Sequence, residues 1–380
     1  MLKNAFTCFG LLFLLSCKSD VKEVTPTASQ TQVVKTEIKY ATGFEIDDFG
    51  THKILTISNP WPGAEKEYRY LLKRQASTIV NESSFDGVVQ IPLKSIVVTS
   101  TTHIPSLEML NVDTTLVGFP NLDYISSERT RARIDAGKLN ELGKNEDINM
   151  EVLIDLSPDA VITFAVEGGN KSAATIRKSG IPVIYNSDWT ETHPLGKAEW
   201  VKFFGALYDK DQMAKDLFDV IKVNYEKAKL EAGESKNKPT VLSGAMYKDV
   251  WYLPQGDSWV AQFIEDANGA YLWEDSEGTG SNALNLESVL EKGQQADFWI
   301  GPGQFTSYQQ LVDTHAVYGQ FDAFQQKRIF SFTNTKGPTG GVLYYELAPN
   351  RPDLVLKDII KILHPELLPD HTMYFFSELK

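Results

Sequence analysis

The sequence predicts an α/β protein of two lobes, each with a mainly parallel sheet flanked by helices, joined by a single long spine helix. Three observations carry that expectation. Runs of apolar and β-branched residues with no alternation, such as Ser95-Ile-Val-Val-Thr-Ser100, are separated by helix-periodic stretches, the pattern of βα units around strands buried on both faces. The stretch 209–232 is helix-periodic throughout. Its residues Met213, Leu217, Val220, Ile221, Asn224 and Ala228 form one largely apolar stripe, with Asp209 placed as a cap, Gln212 three residues on, and Gly233 as a left-handed stop. Finally, similar segments flank this helix. Asn149-Met-Glu151 leads to Asp159-Ala-Val-Ile before it, and Asn285-Leu-Glu287 leads to Asp297-Phe-Trp-Ile after it. Each reads as a short helix opened by Asn-x-Glu, then an Asp entering an apolar strand.

The first residues read as a secretory signal. Lys3 precedes an apolar run over 5–15, and Leu14-Leu15-Ser16-Cys17 is a lipobox, which implies cleavage before Cys17 and acylation of that cysteine. The run is too short to span a bilayer. Cys8 leaves with the signal, so the mature chain is expected to hold no free thiol, disulfide or cysteine metal site. The formal charge of −13 argues against nucleic acid and anionic membrane surfaces as partners, leaving lipid alone to hold the chain at a membrane. With 380 residues, 42% of them hydrophobic, the chain can build two cores. The expected organisation is a signal over 1–16, a polar flexible tether over 17–36, an N-terminal lobe over 37–193, a linker with the spine helix over 194–233, and a C-terminal lobe over 234–380.

In order, 52–58 and 67–72 are extended runs around the turn Asn59-Pro60-Trp61-Pro62-Gly63, a hairpin on the edge of the first lobe. Strand 95–100, helix 104–110, strand 114–118, helices 126–135 and 149–156, strand 159–164, helix 170–179 and strand 182–185 make the first lobe. The second restarts with strands 240–246 and 250–253, helices 258–268 and 286–292, strand 297–301, helix 308–313, strand 328–333 and helix 353–363.

Ligands of open parallel sheets bind beyond the carboxyl ends of the strands. That rule nominates loops 101–103, 119–124, 165–170 and 186–193 in the first lobe, and 247–251, 302–305 and 334–346 in the second. They or their borders carry Tyr124, Trp189, Tyr247, Trp251, Trp259, Phe305, Tyr344 and Tyr345, rings suited to a large, flat or partly apolar ligand. His103, directly after a buried strand, reads either as a ligand or metal contact or as a hydrogen-bonded residue at a helix start. Lys336 in the glycine-rich loop 335–341 is the candidate anion contact. Gly168-Gly169-Asn170 reads as a plain turn, and Arg129, Arg131 and Arg133 as a solvated helix face. There is no nucleophile elbow, phosphate-binding loop or His-Glu-x-x-His, and six scattered histidines write no metal cluster, so neither a catalytic residue, a directly held metal nor a cofactor is expected. The competing reading is a secreted hydrolase or chelatase that uses His103 or His193 with nearby acids.

The paired Asn-x-Glu segments resemble the substrate-binding proteins of ABC importers for iron–siderophore, haem and vitamin B12. The phrase Glu151…Leu-Ser-Pro-Asp159-Ala-Val-Ile carries the likeness most strongly, and Glu287…Ala-Asp297 is its looser echo, with Gly-Gln-Gln where Ser-Pro would stand. The stretches 256–273 and 352–358 are also similar, and the likeness covers about residues 90–368. It implies two α/β lobes on a helical spine with modest hinge motion, a monomer, no ATP hydrolysis of its own, and an iron-siderophore, haem or cobalamin ligand held between the lobes. It further implies Glu151 and Glu287 docking on an ABC permease dimer. The cleft residues expected to hold the ligand are His103, Tyr124, Trp189, Tyr247, Trp251, Trp259, Phe305, Lys336 and Tyr344.

Overall fold

The structure, a computed structural model, describes residues 33–74, 80–166 and 171–380. The signal, Cys17 and the Gly168-Gly169-Asn170 turn lie outside the described residues, as does the tether up to residue 32.

A mixed sheet comes first, with strands in the order β1 (Val34–Lys35), β2 (Phe44–Asp48), β3 (His52–Ile57), β4 (Tyr68–Lys73) and β5 (Gly87–Gln90). β3 and β4 are the hairpin expected from the sequence, but they sit inside a five-stranded sheet and not at a lobe edge. Its buried face carries Phe44, Ile46, Leu55 and Ile57, and Phe44 packs 4.6 Å from the Trp200 ring.

The first parallel sheet runs β12-β11-β6-β7-β8, built from β6 (Ile96–Val98), β7 (Leu116–Phe119), β8 (Asn140–Glu141), β11 (Ala160–Thr163) and β12 (Val183–Tyr185). A small hairpin, β9 (Gly143–Lys144) and β10 (Asp147–Ile148), stands beside it. Its helices are α1 (Ile104–Met109), α2 (Glu128–Asp135), α3 (Met150–Leu156) and α4 (Lys171–Lys178). The connecting helices α5 (Pro194–Glu199) and α6 (Val201–Leu207), not foreseen in the linker, are buried almost all round: Leu195, Trp200, Val201, Phe203, Phe204 and Leu207 are apolar, and the charged Lys197, Glu199 and Lys202 are buried with hydrogen-bond partners. They lead into the spine, α7 (Asp211–Ala232).

The second parallel sheet runs β16-β13-β18-β19-β20, with β20 alone antiparallel. Its strands are β13 (Thr240–Ser243), β16 (Ala270–Tyr271), β18 (Phe298–Ile300), β19 (Ile329–Ser331) and β20 (Ser377–Glu378). An antiparallel trio, β14 (Ala245–Tyr247), β15 (Val250–Pro254) and β17 (Ser281–Leu284), lies beside it. Helices α8 (Trp259–Asp266), α9 (Leu286–Gly293), α10 (Tyr308–Thr314), α11 (Asp322–Gln325), α12 (Leu343–Leu347) and α13 (Pro352–Leu363) complete the described chain. The run expected as one strand over 240–246 breaks at Gly244. There φ is +75°, and a Cβ would come within 1.9 Å of the Tyr252 carbonyl oxygen, so the corner between β13 and β14 requires glycine.

The two flanking segments fold as mirrored units. Asn149 caps α3 through Val152 N–H, and Asn285 caps α9 through Ser288 N–H. The acids that follow act alike. Asp159 accepts from the Lys94 and Ser95 N–H groups at the entry to β6, and Asp297 accepts from the Thr240 N–H and hydroxyl at the entry to β13.

The spine differs from expectation at both ends and in phase. Asp209 does not cap it. That residue has φ +54° and gives its carboxylate to Lys53 and Arg74, and Lys210 precedes α7 without a side-chain cap. Gly233 stays right-handed, with φ −65°. The buried stripe is Ala214, Phe218, Ile221, Tyr225, Ala228 and Ala232, which leaves Val220 61% exposed. Of the arginines of α2, Arg129 is exposed as expected, whereas Arg131 and Arg133 are partly buried, and all three are hydrogen-bonded. Arg131 donates to the Leu122 carbonyl, Arg133 to the Asp113 and Leu116 carbonyls, and Arg129 to the Asp113 carboxylate.

Candidate functional site

A cavity of about 730 Å³ opens at the carboxyl ends of β13, β18 and β19, where the open-sheet rule places a ligand. Its wall joins Met246, Tyr247 and Tyr252 with Trp259, Val260 and Phe263 of α8, then Phe305, Phe332, Tyr344, Tyr345 and Phe376. Among the described residues of this wall, Lys248 is the one charged side chain, lying 5.5 Å over the Tyr247 ring. The floor is held from behind. The Trp251 indole N–H donates to the Ser243 carbonyl at 3.0 Å and that of Trp299 to the Gly244 carbonyl at 2.8 Å. The Tyr318 hydroxyl accepts from Met246 N–H. Tyr344 stacks on Phe332 at 4.3 Å, with Phe375 and Phe376 edge-on. Those last two are fixed because the buried Asp358 carboxylate accepts the N–H groups of residues 374–376.

A smaller cavity of about 310 Å³ lies at the carboxyl ends of β6, β7 and β11. Thr99, Ser100, Thr101, Phe119, Tyr124, Asn145 and Phe164 form one side, and Val342, Tyr345 and Glu346 the other. Tyr345 belongs to both cavities, so the short helix α12 stands between them. Glu346, only 1% exposed, accepts from the Ser126 and Ser127 N–H groups at 2.6 and 3.0 Å, which ties α12 to the first lobe. Burial pushes its carboxyl up to about 7 against those two hydrogen bonds, helped by nearby Glu108. Asn350 bonds Ser106 and the Thr102 carbonyl, and Thr339 the Asp123 carbonyl, across the same junction. Gly341 lets the chains close there, since a Cβ on it would lie 2.5 Å from the Ser126 hydroxyl.

Residues 96–335 match the family described as periplasmic binding protein. The chain belongs to that family. A lipoprotein of Methanocaldococcus jannaschii is 27% identical over 343 residues, 84% of this chain and 80% of the relative. Among solved structures, the haem-binding protein HutB of Vibrio cholerae superposes with a TM-score of 0.54 at 17% identity, covering 69% of this chain and 99% of that one. The triscatecholate siderophore-binding protein FeuA of Bacillus subtilis, complexed with ferri-bacillibactin, also gives 0.54, at 14% identity over 74% and 95% of the two chains. A periplasmic binding protein binds a solute and does not transform it. The mixed sheet lies ahead of the matched region.

The structure brings Tyr247, Trp259, Phe305 and Tyr344 of this binding protein into the larger cavity and places Tyr124 in the smaller one. It keeps others out. His103 is fully buried, its ring 5.6 Å from that of Phe204, and burial holds its pKa below the ordinary histidine value against the opposing effects of Asp188 and Asn186. Trp251 is fully buried because β15 turns it toward Trp299 and Tyr318, so it supports the floor and cannot touch a ligand held above it. Trp189 and Lys336 are exposed but belong to neither cavity wall. His193 accepts from Leu195 N–H at the start of α5, and neither histidine of the hydrolase reading lines either of these two cavities. Glu151 and Glu287 are exposed in the first turns of α3 and α9. Sequence reasoning missed Asn145, Phe332 and Phe376. Phe376 arrives from the chain end through β20 and follows no parallel strand, so the strand-end rule could not find it.

Proposed function

We propose that the chain is the substrate-binding lipoprotein of an ABC importer, and that it captures a large chelate of low net charge with flat or apolar faces, of the haem or corrinoid class, in the larger cavity. The observation that carries this is a wall made mostly of rings and aliphatic side chains, with Ser243, Ser281, Gln304 and Thr314 as its neutral polar members and Lys248 as the one charged residue among those described. A site of this size and polarity favours apolar surface and offers little to balance a multiply charged anion. The ferric triscatecholate bound by the Bacillus subtilis neighbour is such an anion, whereas the haem of the Vibrio cholerae neighbour presents apolar porphyrin faces. Lipid on Cys17 would hold the protein at the outer face of a membrane, and Glu151 and Glu287 would present it to the permease.

The test starts with protein from the membrane fraction, expected to show visible absorbance from retained ligand. Stripped protein is then titrated with hemin, cyanocobalamin, a neutral ferric hydroxamate and a ferric triscatecholate, following tryptophan fluorescence. Hemin or the corrinoid should quench Trp259 with micromolar or tighter affinity, and the triscatecholate should bind at least about tenfold more weakly. Preference for the triscatecholate, or no binding by any of the four, would overturn the assignment. Recovery of the chain only from the soluble fraction would sink the anchor.

A further inference from the structure

Lys248 lies in the tight turn between β14 and β15, just past the pair Tyr247 and Val250, and its side chain forms part of the larger cavity's wall. It is exposed, with the ammonium 5.5 Å over the Tyr247 ring and no ion pair or hydrogen bond to any described residue. The face of a phenol ring attracts a cation without neutralising it, so the charge stays available to a ligand. The φ of Lys248 is +57°, a conformation that Asn or Gly adopts more easily, so the turn does not itself call for lysine. Lys248 is also the one cation among the described residues of the two cavity walls. The neutral polar groups of the wall can hydrogen-bond a carboxyl, but they supply no charge. An acid drawn in among the rings would lose its water with little to offset that cost. At the exposed turn it keeps part of its hydration and meets an ammonium.

We propose that Lys248 is a specificity-determining residue that pairs with one acidic substituent on the edge of the ligand. The ligand then lies with its apolar faces among the rings and that acid outward, at the turn between β14 and β15. The inference rests on the chelate reading above and narrows it. Between two chelates built on the same ring, the protein selects the one with an acid at its edge over the one with none. A second acid adds little, because neither wall offers it another cation among the described residues.

The experiment uses the full mature chain at about pH 7.5 and low ionic strength, where carboxylates and lysine are charged and a surface pair is least screened. Hemin, its monoamide and its diamide form one series. Dicyanocobinamide phosphate and dicyanocobinamide, which lacks the acid, form the other. In a series that binds, the compounds with an acid should bind about threefold to tenfold more tightly than the one without. Hemin and its monoamide should bind within about twofold of each other, the statistical factor for two equivalent acids. Lys248→Met should abolish the preference for the acid, Lys248→Glu should invert it, and Lys248→Arg should keep it. All three should melt with the wild type, because the side chain is exposed in a turn. Salt at about 1 M should erase the wild-type preference. Equal binding across a series, a preference that survives in Lys248→Met, or a further tenfold gain from the second acid would overturn the pairing while leaving the chelate reading intact. Failure of all five compounds to bind would overturn the chelate reading, and the pairing with it.

Discussion

Glu346 is where the chemistry of one residue reaches furthest. Its carboxyl is enclosed at the junction of the lobes, and burial outweighs the two N–H donors, so its value rises from 4.5 to about 7. Between those values the folded chain holds a proton that the unfolded chain has lost. Stability from this group is therefore present at low pH and declines as pH rises through the interval, by about 3 kcal/mol when complete. Glu346→Gln removes the titration and keeps one acceptor. Urea melts across about pH 5 to 8 should show the variant gaining on the wild type as pH increases, and parallel curves would show that the carboxyl stays ionised throughout. The sequence revealed Glu346 only as the end of a nominated loop, because nothing local says that two N–H groups from residues 126 and 127 will meet it. Tyr247, Trp259, Phe305 and Tyr344 were legible for the opposite reason, since each lies in or beside a segment that follows a strand. Trp251 satisfies the same rule and fails, because which face of β15 looks inward depends on β14 and β17.

The spine helix shows what a pattern can and cannot fix. Periodicity was enough to find α7, but two neighbouring stripes are both partly apolar, and only α6 and α13 packed against it choose the one through Phe218 and Tyr225. Its start is set by charge and not by a cap. Lys53, fully buried on β3, places its ammonium 3.0 Å from Asp209 and 2.5 Å from Asp211, while Arg74 of the same sheet bonds Asp48 and Asp209. The Arg74 hydrogen bonds, with Lys53 adding to them at Asp209, hold the Asp48 and Asp209 carboxyls below the ordinary range. This network fastens the added five-stranded sheet to the spine. Lys53→Met would leave Asp209 to Arg74 alone and take from Asp211 its ammonium partner, both acids being about one-third exposed. The expected loss is about 2 kcal/mol, less than for a fully enclosed pair because water reaches both acids. Chemical denaturation measures it, and ligand affinity should stay the same because neither cavity wall includes these residues. No change in stability would show that the sheet is held by its apolar face alone.

At the scale of the molecule, the lobes are joined by the spine and by hydrogen bonds at Glu346, Asn350 and Thr339, so capture should be a small adjustment and not a wide closure. A protein that changes shape so little must be recognised through fixed surface features, and the mirrored units supply a pair of them. Glu151 and Glu287 occupy the same place in two similar helices, each opened by an asparagine cap, and both are exposed. A purely local role is available, since a carboxylate in a first turn is favoured by the helix dipole, at about 0.3–1 kcal/mol each. That role predicts a modest fall in melting temperature when the charges are reversed, and nothing else. Docking predicts a different pattern, because charge pairs across an interface can couple by about 1.5–7 kcal/mol and steer encounter. The variant carrying Glu151→Arg and Glu287→Arg should therefore bind ligand as the wild type does, melt within a few degrees of it, and support no uptake when reconstituted with the permease and its ATPase in vesicles. Each single reversal should lose part of the uptake. Raising the salt should weaken the wild type most, because it alone keeps both attractions to be screened. Uptake by the double variant at the wild-type rate would return both glutamates to the role of first-turn charges favoured by the helix dipole.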